Sequence, residues 1–105
     1  MKTPLQLQIE LCFKTTELGG RTGWVDLTSC RYRPHLVVDS GEYLGVCFVN
    51  SSPARARPGD TVIATVLLVY PGVDYSALVP GAEFKVIEGI NTVAIGKVLG
   101  QQEPG

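Results

Sequence analysis

Apolar residues recur at every second position along much of the chain, and almost no stretch carries the helical period. Leu5, Leu7, Ile9, Leu11 and Phe13 alternate with Gln6, Gln8, Glu10, Cys12 and Lys14, which predicts a long strand with one wet face. His35 to Val38 predicts a short strand, entered through Arg33-Pro34, a dipeptide suited to a sheet edge. Tyr43 to Val49 predicts another, with Leu44, Val46 and Phe48 on one face and Gly45 and Cys47 on the other. Thr61 to Tyr70 is apolar on both faces and rich in β-branched residues, which predicts a central strand. Glu83 to Glu88 and Thr92 to Leu99 complete the set, joined by Gly89-Ile90-Asn91, short enough for a hairpin.

Turn residues punctuate the gaps: Gly19-Gly20, Asp39-Ser40-Gly41, Pro58-Gly59-Asp60, Pro71-Gly72 and Pro80-Gly81. The longest connection without a clear strand is Gly19 to Arg31, which carries the only tryptophan, Trp24. Six antiparallel strands in a chain of 105 residues are expected to close, because closure removes exposed edges. The expected fold is all-β, a six-stranded antiparallel closed β-barrel over residues 1–100, with 101–105 as a flexible tail.

Composition narrows the field further. Hydrophobic residues make up 45% and charged ones only 18%, so strands are covered on both faces or an apolar docking surface is present. Nine basic and ten acidic residues give a net charge of −1, so no global field draws the chain to nucleic acid or membrane. The opening MKTPLQLQIE has no continuous apolar core and reads as no signal peptide. The longest apolar run, Val66 to Tyr70, falls far short of the ~20 residues that span a bilayer. Three cysteines, Cys12, Cys30 and Cys47, form no CxxC pair, and their odd count suggests neither a disulfide framework nor a zinc site. They read as buried thiols in a reducing compartment, and the protein as soluble and cytoplasmic.

No catalytic constellation stands out. His35 is the only histidine, GxSxG and HExxH are absent, and Gly19 to Gly23 lacks the pattern of a phosphate cradle. No enzyme, cofactor, metal or small-molecule substrate is expected. His35 reads as a surface or structural histidine, or as a recognition contact. Trp24 reads as core packing or as a binding hot spot. All five arginines, Arg21, Arg31, Arg33, Arg55 and Arg57, fall between residues 21 and 57, so a local basic patch is compatible with a near-neutral chain.

The ordered set Gly19-Gly20-Arg21, Tyr32-Arg33-Pro34, Pro58-Gly59-Asp60, Thr61 to Pro71, Glu88-Gly89-Ile90-Asn91-Thr92-Val93 with Gly96, and Lys97-Val98-Leu99 resembles the C-terminal β-barrel domain of bacterial elongation factor Tu. The likeness runs from about Leu7 to Leu99, with extra residues in the Trp24 loop and in Asp74 to Gly81. It implies a six-stranded antiparallel barrel that touches the T stem of aminoacyl-tRNA, the factor's GTPase domain and its nucleotide-exchange factor. The GTPase domain itself has no counterpart here, so the resemblance implies no GTP site.

Residue by residue, Arg21 matches an arginine against the T-stem backbone, and Glu88 with Gly89 matches the turn that meets the same stem. Thr22 stands where the family has histidine, His35 where it has glutamine, Leu44 for a small polar stem contact, and Tyr70 for a basic or histidine position. Asp39 and Asn91 each replace an arginine. These departures weaken a tRNA surface, since every lost phosphate contact lowers affinity. The expected contact residues are Arg21, Thr22, Trp24, His35, Glu88 and Gly89. Three readings follow: a stand-alone translation-related module holding tRNA or a translation factor; a protein-interaction module, mimic or homodimer that no longer binds tRNA; or a degenerate barrel without activity.

Overall fold

A computed structural model describes residues 5–102. Nine strands follow one another: β1 (Gln6–Phe13), β2 (Val25–Asp26), β3 (His35–Val37), β4 (Tyr43–Gly45), β5 (Cys47–Ser52), β6 (Arg55–Ala56), β7 (Thr61–Leu67), β8 (Glu83–Glu88) and β9 (Asn91–Gln102). The helical content is one 3₁₀ turn, Thr16–Leu18. Among the described residues no helix is long and apolar enough to cross a membrane.

The alternation in β1 does what it predicts. Leu7, Ile9, Leu11 and Phe13 are buried, while Gln8 and Cys12 face out. β1 pairs with β7 on one side and β9 on the other. β7 is likewise central, between β1 and β5, as its two apolar faces require. Around them a seven-stranded antiparallel sheet runs in the order β4-β3-β8-β9-β1-β7-β5, and β2 with β6 forms a separate two-stranded ribbon. Register shifts at Gln8/Ile9 and Val86/Ile87 help the sheet to curl. Its concave side holds Leu36, Leu44, Val46, Phe48, Val62, Val66, Val86 and Val98 in one core with the β1 side chains, and Val25, Leu27 and Ala56 from the ribbon side join it.

The closed six-stranded barrel is corrected to this curled half-barrel sheet of seven strands. The strand expected at Tyr43 to Val49 is broken at Val46, and its halves belong to opposite edges: β4 pairs with β3, β5 with β7. The cause is local. Tyr75 donates its hydroxyl to the Gly45 carbonyl at 2.6 Å, while the Val46 and Phe48 amides turn to Pro34 and Tyr32 carbonyls at 3.3 and 3.0 Å. The backbone groups that would continue one straight ladder are engaged elsewhere.

Three further expectations change. Gly19 to Arg31 is not strandless, because β2 lies within it, too short to leave a readable period. The tail expected from residue 101 is partly strand: Gln101 and Gln102 pair with Leu7 and Gln6, while 103–105 lie outside the described residues, as do residues 1–4 of the N-terminal reading. The three cysteines are not all buried thiols. Cys30 and Cys47 are bridged, with Cα atoms 4.8 Å apart, and Cys12 is free and exposed. Ser29 and Cys30 both adopt left-handed backbone (φ 58 and 56), and the Cys30 amide then bonds the Phe48 carbonyl at 2.8 Å, laying Cys30 beside the start of β5.

Candidate functional site

Glu88 ends β8 at the hairpin into β9, facing Asn91 across a two-residue turn of Gly89 and Ile90. Gly89, at φ 61, holds the first central position, where a turn matched to strand twist needs positive φ. Ile90 at the tip is 95% exposed.

Arg21 comes to this hairpin from the other end of the chain. The 3₁₀ turn ends at Gly19 (φ 90), and the Thr16 hydroxyl donates to the Arg21 carbonyl at 2.8 Å. Gly20 has no positive φ, contrary to the turn role its sequence suggests; it is needed for close approach. A Cβ there would lie 2.3 Å from the Lys14 carbonyl oxygen, so glycine lets the segment fold back over Lys14 and aim Arg21 at β8.

Across 67 residues of sequence, Arg21 Nη1 donates to Glu88 Oε2 in the one salt bridge among the described residues. The Tyr32 hydroxyl donates to the same oxygen. The Arg21 guanidinium carbon sits 5.7 Å from the Tyr32 ring centre, and Tyr32 packs on Phe48 with ring centres 5.3 Å apart. Burial, then the bond to Glu88 and its charge, push the Tyr32 hydroxyl far above the ordinary tyrosine range. The Arg21 and Glu88 side chains are 28% and 29% exposed, and Arg21 Nε is buried without a hydrogen-bond partner. The cluster is charge-balanced. It offers donors and a carboxylate for recognition.

The other expected residues are only partly gathered here. Gly89 and the exposed Thr22 flank the pair in sequence. His35 opens β3 opposite Ile87, one residue from Glu88 along β8, and is exposed with its ring edge-on to Tyr43 at 5.8 Å. Trp24 stands apart, on the segment leading into the β2–β6 ribbon. It is 54% exposed with the Arg55 guanidinium 4.6 Å from its ring centre, so it is no core anchor.

Of the positions the resemblance ties to stem contact, Leu44 is buried at 2% exposure, which removes its side chain from any surface. Tyr32, absent from the expected contact residues, proves to be the third member of the Arg21–Glu88 cluster. A buried hydroxyl demands a partner, but nothing in the sequence says that the partner lies 56 residues away.

A groove of about 650 Å³ crosses the outer sheet face past Cys12, Val37, Phe84, Ile95 and Lys97, and none of the six expected contact residues lines it. Among the described residues no group of three or more His, Cys, Asp or Glu side chains could hold a metal ion. No protein-family model matches the chain.

Proposed function

We propose that the chain is a non-enzymatic binding module of the kind found at the C-terminus of elongation factor Tu, working in or near translation. Its contact edge comprises Arg21, Thr22, Glu88 and Gly89, with His35 beside them, and the ligand is a tRNA backbone or a translation factor. The observation that carries this reading is the meeting of Arg21 with Glu88, from opposite ends of the chain. These are the two residues that the resemblance marks as stem contacts. Arg21 gives one N–H to Glu88 and keeps other donors for a phosphate oxygen.

The test is a titration with aminoacylated and uncharged tRNA at low and at physiological salt, beside Arg21→Ala. Binding is expected to weaken with salt, and Arg21→Ala to reduce the log–log salt slope by about one. An absence of binding at low salt overturns the tRNA form.

A protein partner at the same edge is favoured by Ile90. Its 95% exposure at a turn tip contributes nothing to the core, and the neighbouring guanidinium is already neutralised by Glu88. This form predicts that Ile90→Lys abolishes binding to the nucleotide-exchange factor of the elongation-factor family. Unchanged binding would reject it.

A further inference from the structure

The β2–β6 ribbon pairs Val25 with Ala56 and Asp26 with Arg55. Val25 and Ala56 turn into the core. Strand alternation therefore puts Trp24, Asp26, Arg55 and Arg57 on the outward side. Arg55 in β6 and Arg57 just beyond its end are both exposed, and extended backbone would set them about 6.8 Å apart. That is comparable with successive phosphates of an extended single strand. Arg31, also exposed, lies close enough to act electrostatically on Asp26, as does Arg55.

Two carboxylates oppose these three arginines, and each is engaged in its own turn. Asp26 Oδ1 accepts the Thr28 amide at 3.0 Å and the Thr28 hydroxyl at 2.5 Å, and Asp60 Oδ2 accepts the Arg57 amide at 2.9 Å. Among the described residues neither forms a salt bridge with an arginine. The guanidiniums of Arg31, Arg55 and Arg57 thus form no salt bridge among the described residues; that of Arg55 lies over the Trp24 ring, and the indole still keeps 54% of its surface in solvent.

We propose that this ribbon face binds single-stranded nucleic acid, with a base stacked on Trp24 and neighbouring phosphates on Arg55, Arg57 and Arg31. A base has a π face to lay on the indole, and in a single strand that face is free. An acidic peptide would satisfy the arginines but brings no planar group of its own to cover the exposed indole. A duplex offers phosphates but no open base. The proposed contacts include neither Arg21 nor Glu88 and do not rest on the assignment of that edge.

Trp24, the only tryptophan in the chain, is the reporter. The full chain is titrated at low salt with a short uridine oligonucleotide, following intrinsic fluorescence. The same oligonucleotide, fluorescein-labelled, reports on variants by anisotropy. Saturable quenching is expected, with Trp24→Ala and an abasic oligonucleotide each binding roughly five- to a hundredfold more weakly. Arg55→Ala is expected to weaken binding and flatten its salt dependence, while Lys97→Ala, at an exposed lysine of β9, leaves both nearly unchanged. Circular dichroism of each variant separates lost binding from lost fold, and Trp24→Phe is expected to retain most of the affinity. Four results would each overturn the proposal: no quenching at low salt, equal affinity for the abasic strand, displacement by an equal concentration of a glutamate-rich peptide, or loss of binding in Lys97→Ala.

Discussion

Two arginine–aromatic contacts in this protein use the same residue chemistry to opposite ends. At the hairpin edge, Arg21 lies 5.7 Å from a buried tyrosine and is tied to Glu88, which also accepts the Tyr32 hydroxyl. On the ribbon, Arg55 lies 4.6 Å from a half-exposed tryptophan and, among the described residues, has no carboxylate in a salt bridge. The first is a clasp. It joins the segment after the 3₁₀ turn to the end of β8, and its charge is already balanced. The second leaves the charge unbalanced by a carboxylate and, although Arg55 lies over the ring, about half of the indole in solvent. An arginine count therefore says little about attraction; what matters is which guanidiniums the fold has already neutralised.

The comparison breaks first at the tether between the two regions. Cys30 lies between Asp26 of the ribbon and Tyr32 of the clasp, and its bridge to Cys47 closes a loop with a sequence separation of 17. A loop of that length is worth about 3 kcal/mol in the chain-entropy account. Urea denaturation with and without reductant should show a loss of that order. An unchanged midpoint would mean that hydrogen bonding alone pins the segment to β5. Next in size is the clasp. Glu88→Ala leaves the half-buried Arg21 and the buried Tyr32 hydroxyl without their acceptor, for an expected loss of about 1–3 kcal/mol. Arg55→Ala removes only an exposed contact with Trp24 and should stay within about 0.5–1 kcal/mol. Equal losses at the two sites would erase the distinction between clasp and open surface.

The sequence disclosed the parts of this molecule with a long period and hid those with a short one. The eight-residue β1 and the β8–β9 hairpin were legible because alternation and a glycine turn agree over many residues. The two-residue β2 and β6 carry no period, and the break of the Tyr43 to Val49 strand depends on a hydroxyl 30 residues from Gly45. Strand number suggests closure, but it fixes neither bends nor ladder continuity. Arg21, Glu88 and Gly89 were legible as candidates by resemblance. That Arg21 meets Glu88, and that Tyr32 joins them, is a long-range fact of folding. Pairing of Cys30 with Cys47 was hidden by the odd cysteine count, which gives no sign of which thiol stays free.

Tyr32 offers a finer test of the clasp. Burial and Glu88 raise its ionisation above the ordinary value of 10.0, so the folded state holds its proton where the unfolded chain releases one. Stability associated with Tyr32 is complete below that ordinary value and declines as pH rises above it. In an alkaline absorbance titration, Tyr32→Phe should remove no amplitude until the fold itself is lost. Glu88→Gln should bring the Tyr32 transition down.

The smallest expected effect bears on the ribbon. Asp26 titrates below its ordinary value of 3.8, foremost because the Thr28 hydroxyl bonds its carboxylate, then through the Thr28 amide and the positive charges of Arg31 and Arg55, with partial burial opposing. The sign follows: a depressed carboxylate stabilises the fold above the unfolded value, and that contribution is lost as pH falls through the folded one. Carbon-detected NMR of the Asp26 carboxyl should therefore show a larger upward shift for Thr28→Val than for Arg55→Ala. The reverse order would place the Arg55 guanidinium on Asp26 rather than on Trp24. The ribbon would then be a second closed pair, and its face would have no free charge to offer a phosphate.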